Sequence, residues 1–152
     1  QLDDIFTAKI TDWKDVGGSP GAIVMYGREN SSGTYEFFKE NVLKKKDFAS
    51  TVQVLPGTAA IVNAVAKDPK GIGYGGLSYS KGVRLVPVKK DDSSPAIMPT
   101  EKTVISHEYP IWRYLYMYTV ADKDTGAVAA FIDWCIKDGQ KLVESAGYVP
   151  LK

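Results

Sequence analysis

Seven consecutive residues, Arg28-Glu29-Asn30-Ser31-Ser32-Gly33-Thr34, concentrate more chemistry than any other stretch of the sequence. An oxyanion drawn from water must recover its hydrogen bonds from fixed donors. Ser32 and Thr34 offer hydroxyls, and Gly33 lets the backbone come close. Arg28 adds a charge-assisted fork suited to phosphate oxygens, with Glu29 beside it to hold the guanidinium. The stretch follows the apolar run Ala22-Ile23-Val24-Met25-Tyr26, which reads as a buried strand. It opens a segment in which Tyr35, Phe38 and Val42 recur at helical spacing. It therefore falls where a helix leaves its first N–H groups unpaired and presents the positive end of its dipole, a setting for a small anion. The same residues also fit a plainer arrangement, in which Ser31 or Ser32 caps the helix and Arg28 pairs on the surface. Physics alone leaves the two level, because hydroxyl caps are common.

Other chemistry-bearing residues point to less. Gly71-x-Gly73-x-x-Gly76 matches the dinucleotide fingerprint in form, but no long helix follows it to receive a pyrophosphate, so a tight strand and turn is expected. Trp112, Tyr114, Tyr116 and Tyr118 alternate along one strand face, which suits a covered surface better than a stacking platform for bases or sugars. His107 is the sole histidine, which leaves a zinc site short of ligands and a serine triad with one candidate base. Asp12, Asp15, Asp91 and Asp92 are scattered acids with no visible pairing. No Gly-Lys-Ser/Thr closes a phosphate-binding loop of the nucleotide-hydrolase type. No cofactor and no metal are implied.

The elements that must position these residues can be placed in order. Leu2–Phe6 reads as a short helix, Ala22–Tyr26 as a strand and Gly33–Lys44 as a helix. Val52–Leu55 follows as a strand, then Pro56-Gly57-Thr58 sets up a helix through Ala66, with Thr58 as its N-cap. Asp68-Pro69-Lys70-Gly71 is a turn. Ile72–Tyr74, Val83–Val88 and a long Ile111–Val120 are strand candidates, with an irregular surface loop from Lys89 to Thr103. Asp124–Lys137 and Gln140–Ser145 read as helices, the second ended by Gly147. Strands alternating with helices predict an α/β layer architecture.

Length and composition bound the rest. A chain of 152 residues with 44% hydrophobic and 24% charged side chains suits one globular domain. A net charge of +1 gives no support for nucleic acid or a membrane surface as partner. The basic run Lys44-Lys45-Lys46 fits the C-terminal end of its helix. Cys135 is the single cysteine, and its spacing from Val128, Phe131 and Ile132 predicts a buried core thiol. No signal peptide and no membrane-length apolar run are visible, and the opening Gln1-Leu2-Asp3 inside a helix pattern leads us to expect further sequence upstream.

Five segments resemble, in order, one known family: the periplasmic phosphate-binding proteins that serve phosphate ABC importers. Arg28–Thr34 resembles its Arg-x-Asp-Gly-Ser-Gly-Thr anion loop, and Ile5–Lys14 its Ile-Phe-x-Gly-x-Ile-x-x-Trp signature. Gly71-Ile72-Gly73-Tyr74, Tyr109-Pro110-Ile111, and Gly139-Gln140 through Gly147-Tyr148-Val149-Pro150-Leu151 resemble later segments. The resemblance implies an α/β fold: one type II periplasmic-binding lobe, a mixed sheet flanked by helices, over about residues 1–110. Residues 111–152 would be the return strand and C-terminal helices toward the other lobe. It implies phosphate-binding residues Arg28, Asn30, Ser31, Ser32, Gly33 and Thr34, with Asn30 at the family's aspartate and Ser31 at its first glycine. An aspartate could accept the O–H of hydrogen phosphate, so Asn30 weakens the case for selectivity over sulfate. The family's first-lobe segment has no match, which implies half a site and phosphate affinity of about millimolar. The resemblance further implies a non-catalytic protein outside the cytoplasmic membrane, with ABC permease subunits as partners. Sulfate binding and a phosphate-ester hydrolase using Ser32 are the alternatives, and a homodimer would cover a bare aromatic face.

Overall fold

The computed structural model describes residues 1–152 except Glu144, Gly147 and Lys152. The expected stop at Gly147 therefore lies outside the described residues. Contacts divide the chain into two units, Gln1–Arg84 and Leu85–Lys152.

The first unit is built on three parallel strands in the order β2-β1-β3, with β1 at Val24–Arg28, β2 at Gln53–Leu55 and β3 at Gly71–Gly73. Central β1 holds its apolar residues inward, and its register pairs Arg28 with Leu55 and Tyr26 with Gly73. Parallel neighbours need a crossover, which helices α2 (Gly33–Asn41) and α3 (Thr58–Lys67) supply. The α/β class is as expected, but the named strands are all parallel. The antiparallel character of a mixed sheet is reduced to the isolated bridges Asp12 to Ala22 and Val88 to Ile97.

Helix α1 (Leu2–Phe6) delivers Ile5 and Phe6 to a core shared with Met25, Phe38, Leu43 and Ile72. Around Phe6, the rings of Phe38, Phe48 and Tyr74 pack at centroid distances of 5.0, 6.1 and 5.6 Å. Helix α2 stops at Asn41, short of the expected Lys44, because Lys44 and Lys45 take left-handed backbone angles (φ 52 and 66). The Lys45 N–H then returns to the Lys39 carbonyl at 2.9 Å, closing the helix end. The turn at Asp68 forms as expected: its carboxylate accepts the Lys70 N–H at 2.9 Å and the Tyr26 hydroxyl at 3.0 Å.

The second unit contains two helices, α4 (Glu101–Ile105) and α5 (Gly126–Ile136), with short helical turns at Ala121–Lys123 and Asp138–Leu142. A capping box between Thr100 and Thr103 starts α4. Neither the expected strand Val83–Val88 nor Ile111–Val120 forms; residues 112–120 have no regular structure. The reason is pairing. Alternation sets which face a strand would bury, but a strand also needs a neighbour for its N–H and C=O groups, and no strand among the described residues pairs with this one. The helix expected over Gln140–Ser145 is instead the turn Asp138–Leu142, and Gly139 lies under the Trp134 ring where a Cβ would meet it at 3.1 Å. Among its described residues only Pro99 and Gly139 are buried.

Candidate functional site

The site lies in the first unit, at the carboxyl ends of the parallel strands. Strand order reverses at β1, and open α/β sheets bind ligands at such a switch point, beyond the strand ends. Arg28 closes β1, Thr58 opens the helix after β2, and Tyr74 follows β3. All three meet. The Arg28 backbone N–H donates to the Tyr74 hydroxyl at 3.2 Å, and Nη1 donates to Thr58 Oγ1 at 3.1 Å.

The other edge of the guanidinium is taken by Glu29, whose oxygens accept from Nε at 3.0 Å and Nη2 at 2.8 Å. This bidentate pair holds a side chain only 15% exposed. The bonds from Arg28 are the main reason the Glu29 carboxyl is lowered to about 2, and they raise Arg28 above its ordinary value. Burial pushes the Tyr74 hydroxyl up. Three of the five guanidinium N–H groups are thus occupied, and two have no partner among the described residues. Glu29 also cancels the local charge, so an incoming anion meets a donor array more than a net positive field.

Ser32 caps α2. Its Oγ accepts from the backbone N–H groups of Thr34 at 3.1 Å and Tyr35 at 3.4 Å, while its own N–H donates to the Glu29 carbonyl at 3.0 Å. Among the described residues, the Gly33 N–H has no partner in the first turn, and the Ser32 and Thr34 hydroxyls donate to none. Of the two arrangements open from the sequence, the plainer one is present, a Ser32 cap and an Arg28–Glu29 pair, and among the described residues donor hydrogens remain beyond it. No hydrogen bond joins the guanidinium to Ser32 or Thr34, and Asn30, Ser31 and Gly33 are exposed. A cleft of about 430 Å³ adjoins Arg28, Glu29 and Asn30, walled by Tyr35, Phe48 and Tyr74.

Thr58 and Tyr74 escaped sequence reasoning as site residues. Thr58 is not the N-cap of α3; Gly57 occupies that position, and the Thr58 hydroxyl faces Arg28 instead. The signal was available in principle, since adjacent parallel strands put the residues after β1 and β2 side by side. Of the weaker candidates, Gly73 serves helix packing, for a Cβ there would lie 2.5 Å from Ile61 of α3. His107 stacks on Trp112 at 3.7 Å. Tyr114, Tyr116 and Tyr118 are exposed, Tyr118 at 90%. Cys135 is half-buried and not a core thiol, because α5 buries none of its side chains. Ser32 Oγ is engaged as an acceptor and has no basic side chain bonded to it. Among the described residues, no group of three or more His, Cys, Asp or Glu is placed to hold a metal, and no helix is long and apolar enough to cross a membrane.

Comparison with known proteins gives a consistent result. The family model described as the PBP superfamily domain matches residues 1–138. The phosphate-binding protein PstS of Staphylococcus epidermidis is 37% identical over 156 residues, 98% of this chain and 47% of that protein. PstS of Pseudomonas aeruginosa is 32% identical over 168 residues, 99% of this chain and 52% of that protein. The chain thus spans about half the length of the curated relatives it matches. A Clostridium perfringens structure, assigned as a phosphate ABC transporter substrate-binding protein and solved with bound phosphate, superposes with a TM-score of 0.77. It is 30% identical, and the match covers 100% of this chain and 61% of that one.

Proposed function

The chain belongs to the PBP superfamily domain family, and from that premise we propose that it forms one face of a binding site for inorganic phosphate. The observation that carries this reading is the Arg28 guanidinium, held on both edges at the carboxyl end of β1, next to the capped N-terminus of α2. Arg28 supplies charge-assisted donors, Ser32 and Thr34 supply hydroxyls, Gly33 supplies its N–H, and Asn30 and Ser31 border the loop. Relatives carrying the name phosphate-binding protein support phosphate as the anion. The reading extends to a solute-binding component of an ABC phosphate importer, working outside the cytoplasmic membrane with permease subunits as partners. In that two-lobed setting about residues 1–110 are the second lobe, and 111–152 run back toward the first.

Calorimetric titration of this chain with phosphate is expected to give an affinity of about millimolar, because these residues supply only one face of a clamp. Arg28→Ala should weaken it by at least about tenfold. Submicromolar affinity would overturn the single-face reading, and undiminished binding by Arg28→Ala would remove phosphate from this loop.

One observation favours sulfate as a second ligand. Asn30 is a neutral amide, and the loop's one carboxylate, Glu29, is tied to Arg28 through both oxygens, so no carboxylate is set aside for the O–H of hydrogen phosphate. Sulfate should compete within about tenfold of phosphate; discrimination well beyond that would exclude this second ligand.

A further inference from the structure

Building on the phosphate reading of this loop, we infer that Thr58 is a positioning residue for Arg28, and that Gly75 leaves the room its methyl needs. Thr58 stands 30 positions from Arg28 in the chain, yet its Oγ1 accepts the Nη1–H at 3.1 Å, the one bond on that edge of the guanidinium. Glu29 grips the opposite edge through Nε and Nη2. A planar group pinned at one edge can still swing about its stem; pinned at two, its remaining N–H groups point in fixed directions.

Thr58 is free for this task because it does no capping: Gly57 is the N-cap of α3, with no side-chain capping bond. Its hydroxyl also keeps its own hydrogen, since it accepts from Arg28. The far side leaves room for this rotamer. A Cβ on Gly75 would lie 2.2 Å from Thr58 Cγ2 and 3.4 Å from its Cβ, so the glycine leaves the space that the threonine methyl occupies. With the methyl lodged there, the hydroxyl is turned to Arg28. The start of α3 and the segment after β3 thus meet at one contact.

The test uses three variants of the full chain and three readouts: phosphate affinity, the guanidinium 15N–1H signals of Arg28 without phosphate, and the melting temperature. Thr58→Val keeps the shape and removes the acceptor. It should shift the Nη1 signals while those of Nη2 stay, and weaken phosphate about five- to tenfold with an unchanged melting temperature. Thr58→Ser should retain both the signals and the affinity. Gly75→Ala should reproduce the Thr58→Val signals. Thr58→Val with wild-type signals and affinity, or Thr58→Ser failing as Thr58→Val does, would overturn the inference. If the unmodified chain binds no phosphate, the functional reading fails on its own account, and the Arg28 signals still decide whether Thr58 positions it.

Discussion

The two units of this chain treat apolar residues in opposite ways. In the first, Ile5, Phe6, Met25, Phe38, Leu43 and Ile72 close a core under a parallel sheet. In the second, Leu115, Tyr116, Tyr118, Phe131 and Trp134 are exposed, and none of the described side chains of α5 is buried. Among the described residues, only Val54 and Tyr79 are exposed large apolar side chains of the first unit. Similar residue types therefore have different consequences. A rigid binding loop needs a closed core beneath it, and among the described residues that core is in the first unit. That is where Arg28, Ser32 and Thr58 are found.

Deletion of core rings should draw this contrast out most strongly. Phe6 is 1% exposed and meets the rings of Phe38, Phe48 and Tyr74 edge-on. Phe6→Ala should cost about 3–5 kcal/mol in chemical denaturation, enough to threaten folding of the unit. Phe131, 58% exposed, is the counterpart, and Phe131→Ala should fall within about 0.5 kcal/mol of the parent. Equal losses at the two positions would break the comparison, since they would mean that Phe131 is as well packed as Phe6.

A smaller effect sharpens the picture inside the first unit. Glu29 titrates at about 2, below the ordinary carboxylate, because Arg28 bonds its charged form. A depressed carboxyl favours the folded state above its unfolded value near pH 4.3 and loses that contribution as pH falls through about 2. Between those limits the pair should stay intact, so side-chain carbon NMR should show Glu29 ionised at pH 3.5. A Glu29 midpoint near pH 4.3 would mean that Arg28 is not held as described.

Much of the first unit was legible in the sequence because two signals agreed there. Ala22–Tyr26 is an apolar run bounded by turns, Tyr35, Phe38 and Val42 keep helical period, and each falls close to the element observed. In the loop from Arg28 to Thr34 the Ser32 cap and the Arg28–Glu29 pair were legible, as the plainer of its two arrangements. Thr58 was not, for a threonine opening a helix looks like a cap until the order β2-β1-β3 brings it to Arg28. The segment from 111 to 120 misled for a related reason. Alternating Trp112, Tyr114, Tyr116 and Tyr118 has the period of a strand, but period says nothing of who pairs with it.

The central claim is that this chain holds phosphate at the carboxyl end of its first-unit sheet, and amide NMR of the 15N-labelled chain during a phosphate titration tests it most directly. The largest shifts are expected at the Gly33 and Thr34 amides and the Arg28 side chain, saturating together and absent from residues 85–152. Shifts centred on the second unit, or none at Gly33 and Arg28 at phosphate concentrations well above millimolar, would contradict it.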